Sequence, residues 1–247
     1  MRPFLLLATR PEDAAADDEY AAFLRFSGLP EAALRRVRLE QAPEQVDVQD
    51  LDHYAGIILG GSPFTWSVPD QDKSETQRRV EAEIDELLTR VVAEDLPFLG
   101  ACYGIGTLGG HIGAVVDSTY AEPVGAVSVS LTEEGRADPV LGGLPGSFEA
   151  FLGHKEAITR LPAGAVRLAE SAACPVQAFR VGRNVYATQF HPELDVPGIQ
   201  VRIDIYKHAG YFPPETAHDL KARVAEASVV HPPAIVRRFV SHYTDAM

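Results

Sequence analysis

The stretch FLGACYGIGTLGG, Phe98 to Gly110, sets one of the chain's two cysteines among five glycines. Gly100 and Gly104 stand two before and two after Cys102, the spacing of a nucleophile elbow. In such an elbow the reactive residue sits on a sharp strand-to-helix turn, and small neighbours let the chain cross itself closely. The start of the following helix favours a thiolate, and the N–H of Tyr103 can point at a developing oxyanion. Taken alone, the stretch fits either this elbow or a buried packing cysteine. It does not fit a phosphate loop, because no lysine follows the glycines. Gly104, Gly106 and Gly109 have the spacing of a dinucleotide fingerprint, but that motif belongs after a first strand, with an acidic residue downstream.

A cysteine nucleophile needs a base, and the base needs a group to orient it. YATQFHPEL, Tyr186 to Leu194, offers both in His191 and Glu193. At the end of a predicted strand, residues two apart share a face, so Glu193 can hold one tautomer of the His191 ring. Pro192 between them suits a strand that is ending. By itself this pair is also a common surface arrangement. LGGSPF, Leu59 to Phe64, ends a buried run in two glycines, where bare backbone can approach a ligand.

These residues need a scaffold. PFLLLAT near the start and AGIILGG (Ala55 to Gly61) are short continuous apolar runs, as expected for strands covered on both faces. Between them a helical pattern runs through Tyr20, Phe23, Leu24 and Leu29, and LRRVRLE alternates like a strand. Lys73 to Glu94 predicts an amphipathic helix, with Val80, Ile84, Leu87, Leu88, Val91 and Val92 on one stripe and capping-box spacing at Ser74 and Gln77. LPFLG then predicts the strand that feeds the elbow. Alternating strands and helices imply an α/β fold, with a mostly parallel central sheet and helices on both faces. The middle of the chain adds antiparallel strands, including a hairpin across Gly182-Arg183-Asn184. After Pro192 the pattern turns helical, through IQVRIDIYKHAGYF, PETAHDLKARVAEA and PAIVRRFVSHY. We expect a single domain over residues 1–247, with a core to about 195 and a helical C-terminal extension.

Taken together and in this order, strand-Gly-Gly, G-x-C-x-G and Q-F-H-P-E resemble the class I glutamine amidotransferase family over about residues 45 to 195. The pattern is most similar to free-standing domains resembling the amidotransferase part of GMP synthase. The resemblance implies that Cys102 attacks the side-chain amide of glutamine, that His191 serves as base and then acid, and that Glu193 orients it. It implies an oxyanion hole from the N–H groups of Gly61 and Tyr103, and substrate-side positions at Gly60, Gly106, His154 and Gln189. A γ-glutamyl thioester would form and be hydrolysed, giving glutamate and ammonia. Two departures stand out. The family commonly carries glutamine where this chain has Gly106, and His154-Lys155-Glu156 replaces the usual histidine-glycine-aspartate. A hydrolase of γ-glutamyl or related amides with the same triad is therefore an alternative, as is a non-catalytic binding or regulatory module.

The net charge of −13 and the lack of a basic stripe argue against nucleic-acid binding. The acidic stretch PEDAAADDEY reads as a solvated helix start. Two cysteines make no disulfide framework, which suggests a reducing compartment and a cytoplasmic location. Phe4 to Ala8 is too short for a signal-peptide core, and no apolar run is long enough to span a membrane. Cys174 is expected in packing, and the remaining histidines match no metal spacing, so no cofactor is expected. Phe64 and Trp66 are placed either lining or covering the cleft, or packed on their own domain. Tyr206, Tyr211 and Phe212 are expected to pack back on the sheet, with an interface as the alternative. No P-loop and no serine-glycine-glycine-valine-aspartate-serine loop is present. Any ammonia would have to pass to a separate acceptor synthetase.

Overall fold

The apolar run near the N-terminus forms β1 (Phe4–Ala8), and all five of its residues are fully buried. In this computed structural model, residues 2–41 and 46–245 are described. Alternation along β1 explains the continuous run. Phe4 and Leu6 pack on one side of the sheet with Phe23 and Phe239, while Leu5 and Leu7 pack on the other with Val80, Ile84 and Leu87. Phe23 belongs to α1 (Asp13–Ser27), which is followed by β2 (Leu34–Arg38) and β3 (Gly56–Leu59). α2 (Glu75–Glu94), β4 (Phe98–Ala101) and α3 (Tyr103–His111) come next.

The middle of the chain supplies β5 (Val115–Asp117), β6 (Glu122–Leu131), α4 (Glu133–Ala137), β7 (Ser147–His154), β8 (Ala157–Arg160) and β9 (Ala165–Ser171). The hairpin expected at Gly182 follows as β10 (Ala178–Val181) and β11 (Val185–Thr188), with Gly182 at φ 57. The chain then runs through α5 (Val196–Tyr206), α6 (Ala217–Ala225) and α7 (Pro233–Asp245), which carries Phe239. A nine-stranded sheet has the order β2-β1-β3-β4-β11-β10-β9-β6-β7. β2, β1, β3, β4 and β11 run parallel, and the strands from β10 to β7 continue antiparallel. The α/β architecture is therefore the one its sequence predicts. β5 and β8 pair separately.

Local expectations fail in three places. The first helix stops at Ser27, before Leu29, because Gly28 adopts φ 75 and its N–H caps the carbonyl of Leu24. The capping box is half formed. Ser74 Oγ accepts from the Gln77 N–H, but the Gln77 side chain turns away to Thr65 O and Glu81. The helix expected through Phe212 ends at Tyr206, and the next residues, to Phe212, form turns and bends.

The junction from β4 to α3 depends on one glycine. A Cβ on Gly100 would lie 2.7 Å from the Gly104 Cα, a backbone atom that cannot give way. A Cβ on Gly104 would meet only Ala187, at 3.9 Å. Gly100→Ala is therefore expected to cost ~1–3 kcal/mol, and Gly104→Ala less than ~1 kcal/mol, in denaturant titrations. Equal losses would show that the crossing is not confined to Gly100.

Candidate active site

At the end of β4 the backbone turns through Cys102 at φ 54 and ψ −75. A non-glycine residue held in so sparsely populated a region costs ~1–3 kcal/mol and needs anchoring. The Cys102 N–H donates to Thr188 O on β11 at 2.7 Å, and the Cys102 carbonyl accepts from Ile105 N–H at 2.9 Å. Cys102 and His191 line one cleft.

His191 follows β11 and is fixed by its N–H bond to Phe151 O on β7 at 3.0 Å. The residues after it form a turn, with Leu194 N–H donating to His191 O, where the sequence suggests extended chain. Pro192 starts that turn, and it brings Glu193 Oε1 to 2.9 Å from His191 Nδ1. The same nitrogen lies 3.0 Å from Arg202 Nη1, and Arg202 Nη2 donates to Glu193 Oε1 at 3.0 Å. Glu193 and Arg202 therefore compete over the ring. A proton on Nδ1 suits Glu193 and leaves Nε2 free to accept from the thiol. An unprotonated Nδ1 suits Arg202.

A second carboxylate anchors the cluster. Glu19 on α1 is fully buried, which corrects the solvated reading of its acidic stretch. Its Oε1 accepts from Arg10 Nε at 2.9 Å, Gly61 N–H at 3.1 Å and Arg202 Nη2 at 3.3 Å. The two glycines after β3 make room for this cluster. A Cβ on Gly60 would collide with the Glu19 carboxylate, and one on Gly61 would collide with Arg10 Nη2 and lie 2.5 Å from His191 Cε1. Gly61 therefore stands beside His191, and its N–H, expected in an oxyanion hole, is bound to Glu19. Arg10 also reaches Tyr206 Oη through Nη1 at 3.1 Å, and Tyr206 donates to Glu12 at 2.9 Å.

Burial pushes the Cys102 thiol up to about 12, with Arg10 acting in the opposite direction. Burial also lowers the pKa of His191. Glu193 opposes that fall and Arg202 reinforces it, so the ring tends to be neutral. Burial acts to raise Glu193, but the charges of His191 and Arg202 outweigh it and hold the carboxyl well below its usual range.

Other expected substrate positions lie elsewhere. Both His154 nitrogens are engaged, Nδ1 with Glu156 O at 2.9 Å and Nε2 with Glu122 at 3.0 Å, in a buried structural network. Gln189 is buried with Oε1 unpartnered and is not part of the cleft wall. Gly106 faces Glu156 and Trp66. A Cβ there would lie 2.5 Å from Glu156 Oε1 and 2.8 Å from Trp66 Cβ. Glu156 in turn accepts from the N–H groups of Trp66 and Ser67 at 2.9 and 2.7 Å. The place where the family commonly holds a glutamine is thus filled, and Trp66 packs on α3 instead of lining the cleft. Phe64 packs against the Tyr103 ring. The wall comes instead from residues that sequence reasoning missed or assigned to packing. Arg10, Arg202, Tyr206, Tyr211 and Phe212 all line it. Cys174 is buried, as expected, and no helix is long and apolar enough to cross a membrane among the described residues.

Because the resting thiol is protonated below its raised pKa, alkylation of Cys102 by iodoacetamide should keep accelerating from about pH 7 to about pH 10, beyond the point near 8.5 where free cysteine levels off. A plateau already reached at neutral pH would instead indicate a preformed thiolate–imidazolium pair.

The chain matches the family model for glutamine amidotransferase class-I over residues 31–197. It is 30% identical over 158 residues to a glutamine-hydrolysing GMP synthase subunit from Thermoplasma acidophilum, covering 62% of this chain and 70% of that protein. A GMP synthase of Porphyromonas gingivalis is 33% identical over 147 residues, 59% of this chain, but the match spans only 26% of that longer protein. Among solved structures, a glutamine amidotransferase from Thermotoga maritima superposes with a TM-score of 0.72 at 18% identity, covering both chains in full. One from Methylobacillus flagellatus gives 0.71 at 18% identity, over 99% of this chain and 95% of that one. Cys102, His191 and Glu193 thus lie within a span that matches the family model over most of the chain, and the chain belongs to the class I glutamine amidotransferases.

Proposed function

We propose that this protein hydrolyses a carboxamide through a thioester on Cys102, with glutamine as the first candidate substrate. The observation that carries this is a strained elbow cysteine sharing one cleft with a histidine that is hydrogen-bonded to a buried glutamate. His191 Nε2 takes the thiol proton as Sγ attacks the amide carbon. The tetrahedral oxyanion collapses, the C–N bond breaks, and His191 returns the proton to the leaving nitrogen. Water, deprotonated by the same ring, then attacks the thioester, and Cys102 leaves with its proton restored. Glu193 holds the Nδ1 proton through both steps. With glutamine the products are glutamate and ammonia. Relatives named as separate subunits of glutamine-hydrolysing GMP synthases support delivery of that ammonia to another, synthetase chain.

One observation favours a second substrate. Trp66 and Glu156 occupy the space at Gly106, so a free glutamine would lack its usual side-chain partner there. A γ-glutamyl amide held by the cleft wall instead would undergo the same chemistry.

Ammonia release from glutamine and amine release from γ-glutamyl amides test both readings. Cys102→Ala should lower the rate by at least ~10³-fold and Glu193→Gln by ~10²-fold or more. A Cys102→Ala protein as fast as wild type would sink the thioester mechanism. The base must be neutral, and Arg202 helps to keep it so. Arg202→Gln should therefore raise the pKa of His191 and move the acid limb of the pH–rate profile to higher pH. An unmoved limb would show that Arg202 does not tune the ring.

A further inference from the structure

The amide chemistry leaves a gap on one side of the reacting carbon. Tyr103 opens α3, so its N–H has no carbonyl partner within the helix and can meet an oxyanion. The second donor suggested by the sequence, the Gly61 N–H, is bound to the buried carboxylate of Glu19 at 3.1 Å. Freeing it would strip Glu19 of one of the donors that compensate its burial.

Arg10 stands where that donor is missing. Its guanidinium is held at two corners, with Nε on Glu19 at 2.9 Å and Nη1 on the Tyr206 oxygen at 3.1 Å, and its plane lies near the Tyr206 ring. The third corner, Nη2, has no hydrogen-bond partner among the described residues. It lies against Gly61, next to the His191 ring, and Arg10 lines the same cleft as Cys102. An arginine clamped in this way leaves one preorganised, charged donor beside His191, in the cleft that Cys102 lines.

We propose that Arg10 is a catalytic residue of this site, donating from Nη2 to the oxyanion of the tetrahedral intermediate in the role otherwise filled by the Gly61 N–H. It rests on the proposed attack by Cys102. A fixed cation needs no reorganisation as charge develops, and a donor of this kind is worth ~10²–10³ in rate. Arg10 also opposes the burial that raises the Cys102 pKa, so its effect on the oxyanion must be separated from its effect on the thiolate.

Two reagents make that separation on the full chain without needing the natural substrate. p-Nitrophenyl acetate acylates the thiol through a tetrahedral oxyanion, forming an S-acetyl bond as p-nitrophenolate leaves. Iodoacetamide alkylates the same sulfur by displacing iodide at a saturated carbon, where no oxyanion forms. Both rates are measured at one alkaline pH, with the modified residue identified by mass spectrometry, for wild type, Arg10→Met, Arg10→Lys and Cys102→Ala. The ratio of acylation to alkylation should fall ~100-fold in Arg10→Met. Arg10→Lys keeps a cation beside Glu19, guards against misfolding of the methionine variant, and should show a smaller fall because its point charge cannot hold the same fork. An unchanged ratio in both variants, even if both rates drop together, would confine Arg10 to the thiolate or to the scaffold and overturn its assignment. Acylation of Cys102→Ala at the wild-type rate would overturn the attack by Cys102 itself, and Arg10's assignment with it.

Discussion

The site is built around one oxygen atom. Glu19 Oε1 accepts from Arg10, Arg202 and the Gly61 N–H, three groups from the loop after β1, α5 and the loop after β3. Without that carboxylate Arg10 would lose its ion pair and Arg202 would keep only Glu193, and leaving a buried charge unpaired costs ~3–5 kcal/mol. With Glu19 and Glu193 both present, two buried cations meet two buried anions. The balance lets a strongly charged cluster sit directly behind the histidine. It also couples α1 and α5, so the His191 ring is held by helices distant in sequence.

Cys102, His191 and Glu193 could be singled out as candidates because their patterns are written locally. A glycine two before a cysteine and a histidine two before a glutamate are short patterns, and each follows a readable strand. The parallel sheet was legible for the same reason, since its strands are continuous apolar runs. Glu19, Arg10 and Arg202 were not, because each has meaning only through partners far away in the chain. Traces existed all the same. Glu19 lies on the buried face of α1 with Ala15, Ala16, Ala22 and Phe23, so its spacing is that of a core position. Arg202 lies three residues after Ile199 and one before Ile203, on the buried side of α5. A charge at a core spacing is a signal, but composition alone reads it as a solvated turn. Gly106 was legible as an anomaly, and its cause, the packing of Trp66 and Glu156, required the fold.

The family span and the cleft do not coincide. Residues 31–197 carry Cys102, His191 and Glu193. Arg10 and Glu19 precede that span, and Arg202, Tyr206, Tyr211 and Phe212 follow it. Cys102 and His191 thus lie in the matched part of the chain, and half of the residues that line the cleft lie in its flanks. Within that span, Gly106 is a packing site, its space filled by Trp66 and Glu156.

That packing site has an optical consequence. Trp66 is the chain's single tryptophan, seated on Gly106 and Gly110 of the helix that begins at Tyr103, immediately after the thiol. Lys73 lies near its ring, and the Glu156 carboxylate holds its backbone. The protein therefore carries one built-in fluorophore beside its candidate nucleophile, with a cation and a carboxylate close enough to shift its emission. Any rearrangement of the loop over α3 would be visible in the intrinsic fluorescence of the unlabelled chain.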